Sequence, residues 1–112
     1  MQRVLLIDND AAHASDLGAY LHRTLRVSIV IVESVQDAIV NLKSGTSRYE
    51  VAIINASDPQ QSWGETLQRL HEACLQARPI SCPKFLCLTR QRREPLFVLN
   101  IEHMGARYVH EA

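Results

Sequence analysis

The chain has 112 residues, enough for one domain around a single core and too few for a separate catalytic partner domain. A composition of 46% hydrophobic and 21% charged residues is that of a globular protein and excludes a disordered or low-complexity polymer. Twelve basic side chains balance twelve acidic ones, so the chain lacks the basic field of a free-standing nucleic-acid or anionic-membrane binder.

The first apolar run, Val4-Leu5-Leu6-Ile7, is closed by Asp8 and Asp10 too early for a signal segment. No run reaches the ~18 apolar residues of a membrane span, so neither export nor membrane insertion is expected. A helix is predicted from about Ala11, with Asp10 as its N-cap and Leu17, Tyr20, Leu21 and Leu25 on its inner face. A second strand follows at 27–32. Ser34 and Asp37 then form a capping pattern that opens a helix carrying Val35, Ala38, Ile39 and Leu42 inward and stopping at Gly45. The third strand is 51–54. Ser62 and Glu65 open a third helix, with Leu67, Leu70, Cys74 and Leu75 facing inward before Pro79. The fourth strand is 85–88, and a fourth helix from about Glu94 turns Phe97, Ile101 and Met104 inward and stops at Gly105. A weaker fifth strand is read at 107–109.

Continuous rather than alternating hydrophobicity in the first four strands predicts burial on both faces, as in a parallel sheet between helices. Five strands alternating with four helices, joined by right-handed crossovers, give a doubly wound α/β sandwich spanning 1–112 as a single domain. No fifth helix follows Val109, so the expectation is that the sequence is a truncated piece of something longer or that a partner covers the last strand's flank. Cys74, Cys82 and Cys87, an odd number without paired spacing, point to a reducing compartment, the cytoplasm, and read as ordinary buried or half-buried thiols.

In an open parallel sheet, ligands gather at the carboxyl ends of the strands. The residues there are Asp8, Asn9 and Asp10 after the first strand, Asn55 after the third, Thr89 after the fourth, and His110 and Glu111 after the fifth. With Arg3 to Asp10 as an acidic-ended first strand, Tyr49 to Asn55 as a third, Pro59 four residues beyond Asn55, Leu88-Thr89, and Gly105 to Val109, the chain resembles the receiver domain of bacterial two-component response regulators over nearly its whole length. The resemblance implies a flavodoxin-like, five-stranded CheY-like sandwich, here without its last helix. It also implies that Asn55 stands at the phospho-acceptor position.

The departures bear on function. A receiver needs an anionic nucleophile, a Mg²⁺ held by carboxylate and backbone oxygens, and a lysine to neutralise charge on the transferring group. Against that pattern Asn55 has no anionic oxygen, Asn9 replaces a metal-binding acid, and Glu111 falls at the lysine if the loop before it is one residue shorter. Asp8 and Thr89 remain, and the strands supply no cation to pair with Asp8. The expectation is a degenerate, phosphorylation-independent pseudo-receiver: not an enzyme, without a cofactor, binding Mg²⁺ weakly or not at all. Asp58 as the acceptor would require a longer third strand; followed by Pro59, it reads better as a turn residue.

Arg90, Arg92 and Arg93, in the loop after the fourth strand, are candidates to clamp a small anionic ligand, set against their reading as a solvated loop. His71 and Cys74 have metal-face spacing, but two ligands do not make a zinc site, and no metal site is expected. Trp63 reads as a packing residue or a partner anchor. By the resemblance, Phe97, Ile101, Met104 and Tyr108 lie on the face through which receivers dimerise and reach their output. A homodimer, or contact with an output domain or other signalling protein, is therefore expected, without nucleic acid or membrane.

Overall fold

The computed structural model describes residues 3–43, 48–55, 63–77, 83–89 and 106–110. They form β1 (Arg3–Ile7), α1 (Ala11–Leu25), β2 (Ser28–Val32), α2 (Val35–Lys43), β3 (Val51–Asn55), α3 (Trp63–Ala77), β4 (Lys84–Thr89) and β5 (Ala106–His110). The five strands are parallel in the order β2-β1-β3-β4-β5, the flavodoxin-like arrangement expected. The helix expected from about Glu94, with Phe97, Ile101 and Met104, lies outside the described residues.

Strand alternation divides the core. Leu5, Ile7, Ala52, Ile54, Phe85 and Cys87 pack with Ala38, Ile39 and Leu42 of α2 and Leu67 and Leu70 of α3. On the other face, Val4, Leu6 and Ile53 pack with Ala14 of α1, and Leu17, Leu21, Ile29, Val51, Leu86 and Leu88 join only partly buried. The first face is closed and the second is half covered.

Three expectations about burial are corrected. Tyr20 and Leu25 are 55% and 63% exposed, not inward, and Leu75 is exposed as well. At 100° per residue Tyr20 lies on the flank of α1 away from Ala14, Gly18 and Leu21, where no described element packs against it. β2 is not buried on both faces: it is an edge strand, with Ile31 45% exposed. Cys74 is not a thiol but stands in a disulfide, whereas Cys87 is a buried thiol in β4.

The ends of the elements follow local chemistry. Ser34 Oγ accepts from the Asp37 amide at 3.1 Å, as the capping pattern requires. The Arg3 amide donates to Glu50 Oε2 at 2.7 Å and holds that carboxyl below the usual carboxylate range, fastening the start of β1 to β3. α1 ends on Arg26 in the left-handed region, φ 54°, its amide donating to the His22 carbonyl. A side chain there is strained where glycine is not. Arg26→Gly is expected to raise stability by up to ~1 kcal/mol, because relieved strain outweighs the greater freedom of the unfolded chain. A shift of the urea midpoint reads this directly.

Candidate functional site

β1 and β3 are neighbours with Ile7 in register with Ile54, so Asp8 emerges beside Asn55. Alternation sends both to the α1 side: Asp8 continues the series Val4, Leu6, and Asn55 the series Val51, Ile53. The side-chain amide Nδ2 of Asn55 donates to Asp8 Oδ1 at 2.9 Å. The same oxygen accepts the Asp10 amide, also at 2.9 Å. The other oxygen, Oδ2, is in contact with Nδ1 of His13.

His13 is the residue that sequence reasoning missed. Asp10 caps α1 by accepting the His13 amide at 3.1 Å, which fixes His13 as the third helical residue and turns its side chain back over the carboxyl end of β1. Among the described residues the strands supply no cation to Asp8, and its imidazole partner comes from the helix, five residues on. One signal was in the sequence. His13 follows the capping Asp10 by three residues, which places it in the first turn of α1, where side chains lean back toward the preceding strand end.

Asp8 is only 2% exposed, and a buried carboxylate requires compensation. It has it: two N–H donors fill the lone pairs of Oδ1, and the imidazole takes one of the two on Oδ2. A hard divalent cation wants several converging anionic oxygens. Among the described residues it would find one remaining lone pair on Asp8, the amide side chains of Asn9 and Asn55, a neighbouring imidazole and, across the cleft, Glu33, a set poor in converging carboxylates. Among the described residues, no cluster of three His, Cys, Asp or Glu side chains could hold a metal.

Beside the pair opens a cleft of ≈ 420 Å³ between the ends of β1, β2 and β3, lined by Asp8, Asn9, Glu33, Ser34, Gln36 and Asn55 with Ile7 and Val35. Among the described residues its charged side chains, Asp8 and Glu33, are acidic. Thr89 ends β4, fully buried, one residue beyond Leu88, the register partner of Asn55. Asn55 is the last described residue of β3, and the further run that phosphorylation of Asp58 would need lies outside the described residues. Asp58, Arg90, Arg92, Arg93 and Glu111 lie outside the described residues, as does the side chain of Tyr108, whose backbone pairs with Cys87 in β5.

No protein-family profile and no curated protein matches the sequence. Solved structures match in shape. The chemotaxis protein CheY4 of Vibrio cholerae superimposes with a TM-score of 0.77 at 15% identity, over 99% of this chain and 87% of its own. A two-component response regulator from Clostridium difficile gives 0.77 at 15% identity, over 99% and 84%. The response regulator TrrA of Thermotoga maritima, solved with Mg²⁺ and BeF, gives 0.71 at 18% identity, over 100% and 88%. At such identities the likeness establishes the fold, which is that of CheY-like receiver domains. Among the described residues, no helix is long and apolar enough to cross a membrane.

Proposed function

We propose that this chain is a pseudo-receiver of two-component signalling, a protein-interaction module that works without phosphoryl transfer. The observation that carries the reading is the bond from Asn55 to Asp8. A phospho-acceptor must present an anionic oxygen to phosphorus. The group at that place is an amide that donates a hydrogen bond to the neighbouring carboxylate, and His13 engages the same carboxylate on its other side. The Asp8 carboxylate is compensated from within, by hydrogen bonds from the Asn55 side chain and the Asp10 amide and by its contact with His13. With chemistry absent, the fold offers surfaces: the module contacts its own output domain, another signalling protein or a second copy of itself.

Two other readings are weaker. A phosphotransfer-competent receiver acting through Asp58 is opposed by the sequence, whose apolar run stops at Ile54 and whose Asp58 precedes Pro59 as in a turn. A sensor of small anions is disfavoured by the described lining of the cleft, whose charged groups are Asp8 and Glu33; Arg90, Arg92 and Arg93 lie outside the described residues.

The test is a backbone amide NMR titration with Mg²⁺ and then beryllofluoride, which mimics a phosphoryl group on a carboxylate. Amides around Asp8, Asn55 and Thr89 are expected to stay unmoved at millimolar Mg²⁺ and fluoride. Saturable shifts at those three sites identify a working switch and sink the proposal.

A further inference from the structure

β2 lies at the edge of the sheet, and among the described residues its outer backbone groups have no strand neighbour. Natural edge strands are usually blunted by charges, proline, bulges or a covering element, because a bare edge is a template for another strand. The segment Ser28-Ile29-Val30-Ile31-Val32 has no charge, no proline and no glycine, and four of its five residues are β-branched and apolar. Ile31 is 45% exposed although α1 packs on its side of the sheet. There α1 presents small residues: a Cβ added to Gly18 would sit 3.4 Å from Ile31 Cδ1. Ser15, Gly18 and Ala19, with His22, therefore leave a shallow groove alongside Ile29 and Ile31.

Charge at the two ends of the strand selects the occupant. Arg26 is exposed just before β2 and Glu33 is exposed just after it. A second β2 laid antiparallel sets the basic end of one strand against the acidic end of the other, twice. A parallel copy would set like against like.

We propose that β2 pairs antiparallel with β2 of a second copy, about a twofold axis normal to the sheet, joining two five-stranded sheets into one of ten strands. With Val30 on the axis, Ile29 stands opposite the partner's Ile31 on the α1 side, and Ser28 stands opposite the partner's Val32 on the α2 side. Every outer backbone group of the strand gains a partner, and the exposed flank of Ile31 is covered. The inference does not depend on whether the phosphoryl pocket is inert, so its failure and that of the pseudo-receiver reading are read by different experiments.

Sedimentation equilibrium over a wide concentration range tests it on the wild-type chain and four variants, with circular dichroism as the folding check. The wild type is expected to show a reversible monomer–dimer equilibrium. Ile31→Lys, which brings two cations near the axis, raises the dimer dissociation constant at least tenfold. Arg26→Glu weakens association severalfold, and adding Glu33→Arg restores it. Tyr20→Lys, on the other flank of α1, leaves it unchanged. A wild-type monomer at all concentrations overturns the proposal and leaves the edge to a strand from another protein. A dimer indifferent to both Ile31→Lys and the charge exchange, or one broken equally by Tyr20→Lys, overturns it as well.

Discussion

Asn55→Asp is expected to destabilise the protein by roughly 2–4 kcal/mol and still leave it unresponsive to beryllofluoride. The substitution supplies the carboxylate that an acceptor needs, but at that position the amide donates to a buried aspartate 2.9 Å away. The variant loses a hydrogen bond to a charged group and sets two carboxylates against each other. Mg²⁺ would relieve that repulsion only by displacing His13, which holds the remaining side of Asp8. Adding His13→Ala and Asn9→Asp removes the imidazole from Asp8 and supplies an acidic metal ligand. The triple variant is therefore expected to bind Mg²⁺ and be stabilised by it, where the single variant is not. Urea midpoints with and without Mg²⁺ decide the matter. If Asn55→Asp is as stable as the wild type, the polar arrangement around Asp8 is not what holds the pocket.

The second large effect separates the two faces of the sheet. Leu70→Ala on α3 is expected to cost ~3–5 kcal/mol, because the side chain is fully buried between α3 and the sheet and its removal leaves a cavity that neighbours cannot collapse into. Leu86→Ala, in β4 on the α1 side, removes a leucine of the same size from a half-covered surface and is expected to cost about 1 kcal/mol. Against a total stability of ~5–15 kcal/mol, the first change brings the protein close to unfolding and the second does not. Chemical denaturation of the two variants side by side checks the contrast, and equal losses would mean that the α1 face is as closed as the other.

How much of this was legible in the sequence depended on distance along the chain. The strands and the α1 and α2 caps were readable because apolar runs and capping residues act locally: Asp10 and Ser34 both cap as expected. The Asp8 and Asn55 positions were readable because a parallel sheet gathers the residues that end its strands. His13 was not read, since its role appears only when the helix folds back over the strand it has just left. Composition could not distinguish an edge strand from a central one, so β2 was read as doubly buried. Tyr20 and Leu25 sit in an apolar stripe wider than the surface that α1 finds to cover, and a period marks a stripe without saying how much of it is used. For Cys74, spacing alone gave no sign of the disulfide.

The capping of α1 has a last consequence. Helix ends commonly fray, their first turns opening with little effect on the rest of the structure. The start of α1 does not have that freedom. Asp10 and His13, which define its first turn, supply two of the three groups that hold the buried Asp8 carboxylate, and Asn55 is the third. Unwinding that turn would strip a charge at the floor of the sheet of most of its compensation, so this helix is clamped at its beginning.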